Sequence, residues 1–431
     1  MRARALLAIL LALSSGIVFA EEEYSFDFSE IEEKALDLRG YLEFRPILFG
    51  LDDNAALYKL KLYDRDEEDT QEEYNLTALL DGSYRKGITE FHAVVNTDLT
   101  KSYLGWEEET TLYEGYMSLK PSSTFSFNIG KTTLKWGKGY AWNPVAFLDR
   151  PKDPEDPELA REGRVVVFAD YIKSFDGPLK TFSFTPVLVP VYDHINDDFG
   201  KINNLNFAGR TYFLFYDTDI DFIFLAGQSK TNRYGMDFSR NLTSNFEIHG
   251  ELAFINNHKK RFIDSDGTVL HKEYDATSYL FGLRYLTKAE TTYIVEYFHD
   301  ATGYTESETG DYFSFIDTGY DEYLASGDDT LLKKAADVSE GSYNRKNFMR
   351  DYLYLRVSQK EPFDMLYFTP SLTGVFNMND KSFSIAPEVL YTGIENLELR
   401  LKTTFLVGDS YTEYGEKLNN SRIEFRIRYY F

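Results

Sequence analysis

Apolar and polar residues take turns along most of this chain. In RIEFRIRYYF (422–431), Ile423, Phe425, Ile427, Tyr429 and Phe431 occupy every second place, with Arg422, Glu424, Arg426 and Arg428 between them. An extended strand points successive side chains to opposite faces, so the segment predicts a strand with one apolar and one charged face. The rhythm recurs. Tyr74, Leu76, Ala78 and Leu80 oppose Asn75, Thr77 and Asp81; Leu205, Phe207, Gly209, Phe213 and Phe215 oppose Asn206, Arg210 and Tyr212. Phe246, Ile248, Leu252 and Phe254 oppose Glu247, His249 and Glu251; Leu397, Leu399, Leu401 and Phe405 oppose Glu398, Arg400 and Lys402. Each segment is about long enough to cross a bilayer at a tilt.

Connections alternate in length as well. Short turns are predicted at 85–87, 121–123, 175–178, 217–219, 241–243, 287–289, 361–363 and 392–396. Between them fall longer polar stretches at 64–72, 98–109, 132–162, 190–202, 257–273, 302–348 and 408–420, with shorter ones near 230–233 and 377–380. Short turns on one side and long loops on the other are the pattern of an outer-membrane barrel. In hydrocarbon an unpaired backbone amide costs several kcal/mol, so the sheet must close. The expected fold is therefore all-β: a transmembrane antiparallel β-barrel of about 18 strands, within a range of 16–20. The count runs from Ala55, with Ala55–Asp64 as an upward strand. The alternating stretch 36–46 is left as an added segment at the periplasmic rim or in the lumen.

Composition narrows the setting. MRARALLAILLALSSGIVFA has two arginines, an apolar run and a small-residue end, which predicts a cleaved signal peptide over 1–20. Residues 21–35 then form a periplasmic N-terminal segment containing a short helix over 28–36, and 36–431 the barrel, with long external loops at 131–164 and 302–348. Loss of Arg2 and Arg4 takes the formal charge from −24 to −26, which argues against nucleic acid as a partner. There are no cysteines, hence no disulfide and no thiolate chemistry. Aromatics make up 16% of residues, yet mean hydropathy is −0.39 and no apolar stretch after the signal is long enough for a spanning helix.

The terminal strand ending in Phe431, the signal peptide and the alternation throughout resemble Gram-negative outer-membrane β-barrel proteins of the porin type. That resemblance implies that Tyr429 and Phe431 serve as the signal read by the barrel-assembly machinery, and that lipid and lipopolysaccharide surround the wall. GKTTLKWGKGYAWNPVAFLDRPKDPEDPE (130–158) also resembles the signature of a barrel family with no activity attached to it. A homotrimer is compatible with the alternation, because a subunit interface would replace part of the apolar belt without changing it.

Two constellations could carry function. Stretch 131–164 holds Lys135, Trp136, Lys138, Trp142 and Arg150, and aromatic residues in a loop must be buried somewhere. An inward-folded constriction is expected, against an external cap with Trp136 in the interfacial girdle. Arg210, Arg284, Arg356, Arg400, Lys402, Arg426 and Arg428 face the lumen by parity, but Glu247, Glu251, Glu296 and Glu398 share that face, so a salt-bridged interior without strong selectivity is expected. Acidic runs at 64–73, 151–158 and 264–267 lack the spacing of a calcium loop and read as solvated charge. The six histidines fit no hydrolase or zinc motif, so no catalytic residue, metal or cofactor is assigned. The expectation is a passive outer-membrane channel for small hydrophilic solutes and not an enzyme. The alternatives are a non-conducting structural or adhesive barrel and a membrane-embedded hydrolase using His92 or His249.

Overall fold

The computed structural model describes residues 35–65, 69–264 and 266–431. The signal segment and the helix expected over 28–36, apart from its last two residues, lie outside them. Eighteen strands form one sheet. β1 (Leu36–Leu51), β2 (Thr70–Lys86), β3 (Thr89–Ser102), β4 (Gly105–Ser122) and β5 (Phe125–Thr132) precede a long insertion. β6 (Arg164–Ser174), β7 (Leu179–Val191), β8 (Asn204–Phe215), β9 (Thr218–Ala226), β10 (Arg233–Thr243), β11 (Phe246–Ile263), β12 (Val269–Leu286) and β13 (Thr291–His299) follow. After a helical segment come β14 (Asp351–Gln359), β15 (Phe368–Asn377), β16 (Phe383–Ile394), β17 (Leu397–Val407) and β18 (Asn419–Tyr430).

Each strand pairs antiparallel with its sequence neighbours, and β1 also pairs with β18. Leu42 stands opposite Ala78 on one side and Tyr429 on the other. Gly40 and Phe431 exchange both backbone hydrogen bonds at 3.1 Å. The sheet is a closed cylinder without a free edge, as a wall in hydrocarbon requires. Parity sorts the faces. Phe207, Phe281, Leu401 and Ile423 are 47–59% exposed on the outer wall, whereas Asn206, Glu251, Glu296 and Arg426 are at most 3% exposed inside.

The first strand corrects the expected assignment and leaves the count unchanged. Residues 36–51 are β1, seated between β2 and β18, and not an added segment. Ala55–Asp64 is no strand; it contains helix α1 (Ala56–Leu62). KLKLY alternates, but Glu416 accepts the Ala56 amide at 2.5 Å and Lys59 pairs with Asp317 at 2.6 Å, so tertiary contacts select the helix. The total stays at eighteen because one strand replaces another.

Two expected loops are also strand. Stretch 98–109 is the tip of the β3–β4 hairpin, and 257–273 that of β11–β12, with only a short connection in each. Above the hydrocarbon both faces meet water, so the apolar rhythm disappears while backbone pairing continues. The loops that remain long lie at the rim opposite Leu36 and Phe431.

That rim carries α2 (Glu306–Ser326) and α3 (Thr330–Ser339). α3 falls one residue from the helix expected at 331–340. α2 opens on a capping box, Thr305 to Glu308, which satisfies two amides of its first turn. Ala56 and Leu60 of α1, Tyr312, Phe313 and Ile316 of α2, and Leu332 and Ala335 of α3 share one buried cluster with wall residues Ile263 and Tyr352. Tyr343 stacks on Tyr312 at 3.9 Å. The three helices form a cap bound to its own barrel.

Candidate functional site: the insertion inside the barrel

Residues 133–163 leave the wall well below its upper rim. β5 has only 8 residues against 18 in β4, and Lys131 pairs with Gly115. Gly105–Glu114 of β4 therefore rise above the point of departure. From there the insertion meets side chains on the inner face.

Two lumen carboxylates hold its centre by the backbone. Glu251 of β11 accepts from the amides of Lys138 (2.6 Å), Gly139 (2.7 Å) and Val145 (3.2 Å) and from Asn143 Nδ2 (2.9 Å). Glu296 of β13 accepts from the amides of Tyr140 and Ala141 and lies 2.8 Å from His249 Nε2. Charge-assisted bonds of this kind are about twice as strong as neutral ones. The chain must bend tightly to aim these amides. Gly137 has φ +94°, and a Cβ on Gly139 would lie 2.0 Å from the Trp142 carbonyl oxygen. Lys152 closes the turn by donating to the carbonyls of Gly139 (2.6 Å) and Tyr140 (3.1 Å).

Apolar contacts seat the same segment. Trp142 stacks on Phe298 at 5.2 Å and lies edge-on to Tyr354 at 6.0 Å, joining the cluster that continues into the cap. Trp136, Val145, Phe147 and Leu148 pack against Val187, Val189, Ile223 and Leu225 of β7 and β9. Trp136 is thus inside the barrel, 3% exposed, and not in an interfacial girdle. Farther on, an acidic strap reaches β17 and β18. Glu155 pairs with Arg422 at 2.7 Å, Asp156 with Arg426 at 2.9 Å, and Lys402 donates to the Glu155 carbonyl at 2.6 Å. Asp153 pairs with Lys346. Three of the four acids in the run 151–158 are thus neutralised by the chain's own cations, and the fourth, Glu158, accepts from the Tyr140 hydroxyl at 3.3 Å.

The remaining residues singled out from sequence divide between this framework and the open lumen. Lys138 pairs with Asp221 at 2.9 Å; Arg150 pairs with Glu162 and Asp198; Arg210 lies 3.7 Å from Asp221. Arg356 and Arg400 share Glu388, at 3.5 and 3.7 Å, and Arg428 meets Glu43 at 2.6 Å. Lys135 and Arg284 are exposed and make no ion pair among the described residues. His92 stands 3.4 Å from Glu114. The anchoring role of Glu251 and Glu296 was not legible, because parity places them on the lumen face without naming a partner. The lumen-facing valines of β7 had a signal: PVLVPV (186–191) is continuously apolar, the mark of a strand covered on both faces.

Beside the insertion, a cavity of about 300 Å³ opens between Leu159–Ala160 and the inner wall of β1–β4. Glu43, Asp98, Glu107 and Glu109 line it against one cation, Arg45. Asp98 accepts from Thr77 at 2.6 Å and Glu109 from Thr111 at 3.1 Å. Neither they nor Glu107 meets a cation among the described residues.

Two loop carboxylates are shifted in opposite directions. Burial opposes ionisation of Glu155, but Arg422, Lys402 and Lys346 outweigh it and hold the carboxyl at about 2. The folded value lies below the ordinary one, so this stabilisation is fully present above the usual carboxylate range and is lost progressively as pH falls from there through about 2. Glu413, in the 408–418 loop, is pushed up to about 7 by burial, against Lys417 and Tyr352, which favour its charge. Tyr352 donates to it at 2.6 Å and Asn377 at 2.8 Å. Here the folded value is raised, so the contribution is complete below the unfolded value of about 4.3 and is lost as pH rises through 7. The amides of the 408–418 loop should accordingly show smaller protection factors, once the intrinsic base-catalysed exchange rate is divided out, at about pH 8 than at about pH 5.5. Glu413→Gln should abolish the difference; a difference that persists in that variant would assign it to another group.

The chain matches no family model and no curated protein. Its fold is similar to solved outer-membrane barrels. A BenF-like porin from Pseudomonas fluorescens Pf-5 aligns over 92% of this chain and 98% of its own, at 10% identity and a TM-score of 0.52. Pseudomonas aeruginosa OccK5 (OpdH) aligns over 91% and 98%, at 10% identity and 0.51. Wzi, an outer membrane protein involved in group 1 capsule assembly in Escherichia coli and described as a carbohydrate binding β-barrel, aligns over 90% and 83%, at 7% identity and 0.51. At such identities the likeness defines the fold. This is a closed, porin-like barrel of the outer-membrane type.

Proposed function

We propose that the protein is a passive outer-membrane channel for small hydrophilic solutes, with the long-loop rim outside and both chain ends toward the periplasm. The observation that carries this reading is the insertion itself. It is tied to β11, β13, β17 and β18, sectors far apart around the wall, and a cavity remains on the β1–β4 side, which we read as the aisle for solute. Insertion 131–164 is the constriction, and Trp136 and Trp142 act by seating it rather than by touching solute. Most lumen arginines are matched by carboxylates, so they set the position of the insertion more than the charge of the passage. The aisle retains uncompensated carboxylates, and carboxylate linings favour cations. The apolar belt takes lipid and lipopolysaccharide as its surroundings, and Tyr429 and Phe431 present the end of β18 to the assembly machinery.

In a planar bilayer, the purified protein should give discrete conductance steps with a reversal potential of cationic sign in a KCl gradient. Asp98→Asn, Glu107→Gln and Glu109→Gln together should move that potential at least about halfway to zero. An anionic reversal potential would overturn the charge assignment. Silence from correctly folded protein would overturn the channel and favour a non-conducting, surface-binding barrel, the reading that the helical cap supports.

A further inference from the structure

A second cavity, of about 370 Å³, lies between the cap, the acidic strap and the inner wall of β15, β17 and β18, and shares no lining residue with the aisle. Its charge is reversed. Lys61, Arg345, Lys346, Lys417 and Arg422 line it against two carboxylates, Asp153 and Glu155.

Those two carboxylates are already engaged, by Lys346 and Arg422. Three cations remain. Lys61 of α1 is exposed and has no partner among the described residues. Arg345 reaches Asp300 and Thr302 only at 3.4–3.5 Å, and Lys417 reaches Glu413 at 4.0 Å and the Lys346 carbonyl at 3.3 Å, so neither has a close carboxylate partner. Burial also pulls the Lys417 ammonium below its ordinary value, although Glu413 and Glu155 lie near. Arg422 adds a buried Nε without a hydrogen-bond partner. Elsewhere in the lumen the balance is different: Arg426, for example, meets Asp156, Glu424 and Glu43.

The uncharged lining narrows the ligand. Val375, Leu406 and the rings of Tyr343 and Tyr414 supply an apolar floor, and Asn344 and Asn347 supply amides beside it. Pockets of a few hundred Å³ with apolar walls and a few convergent polar groups are the usual form of small-molecule sites. We propose that this cavity binds a small hydroxylated organic anion of the sugar-acid class, its carboxylate meeting Lys61, Arg345 and Lys417 and its hydroxyls meeting the asparagines. The site goes beyond passage through the aisle and does not depend on it.

Calorimetric titration of the full-length protein in detergent tests this, with gluconate, glucose and glucosamine as probes. Gluconate should bind about tenfold or more tighter than glucose, glucosamine should bind most weakly, and added salt should weaken gluconate. Lys61→Gln with Arg345→Gln should lower gluconate affinity about tenfold, and Lys61→Gln alone, at an exposed position, should give part of that loss. Equal affinity for gluconate and glucose, no heat with protein that runs as a folded barrel, or unchanged affinity in both variants would each overturn the proposal. Conductance is not read, so failure of the channel reading would leave this result intact.

Discussion

Glu251→Ala should raise single-channel conductance several-fold and lower thermal stability at the same time. The carboxylate receives three backbone amides and the Asn143 amide, and it is 3% exposed. Each buried donor left unmet costs about 1–3 kcal/mol. Removing a buried carboxylate recovers part of its desolvation cost, and some of the freed amides will reach water. The expected net loss is about 2–4 kcal/mol. It falls on the contact between insertion and wall, so the insertion detaches before the barrel opens. Glu251→Gln keeps one acceptor oxygen and should lie between wild type and Glu251→Ala in both measurements. Conductance and melting temperature unchanged in Glu251→Ala would show that the carboxylate does not hold the insertion.

Trp142→Ala has the larger expected effect on stability. Its ring packs on Phe298 at 5.2 Å, Tyr352 at 5.8 Å and Tyr354 at 6.0 Å, at the junction of insertion, wall and cap. Truncating a buried aromatic side chain to alanine costs about 3–5 kcal/mol. The cap shares that cluster, so limited proteolysis between β13 and β14 should accelerate while the strands stay protected. Trp142→Phe should recover most of the loss, because the indole Nε1 has no hydrogen-bond partner to forfeit. Cap proteolysis at the wild-type rate in Trp142→Ala would mean that insertion and cap are not mechanically joined.

The lumen glutamates show why the site was only half legible. Parity alone placed Glu251 and Glu296 inside, but parity carries no information about a partner more than a hundred residues away. Their value to the fold comes from amides of a loop, and backbone amides leave no mark in a sequence. The acidic strap differs: Glu155 and Asp156 lie beside prolines in a run that reads as surface charge, and only closure of the barrel brings Arg422 and Arg426 to them. Lys59–Leu62 failed for the converse reason. Its local alternation is a true pattern, overruled by Asp317, Glu416 and the face of α2.

The chain by itself determined the wall: two-residue periodicity, aromatic content and the order of turns suffice for a closed antiparallel cylinder, because burial of one face and hydration of the other act on every strand locally. It also marked 131–164 as out of place, since tryptophans in a polar stretch require a cover. Only the tertiary structure decided what that cover is, which strand fills the first slot, and which lumen charges are spent on the chain itself. Those outcomes depend on ion pairs and amide–carboxylate contacts between distant segments, whose strength is set by the low dielectric of the closed interior.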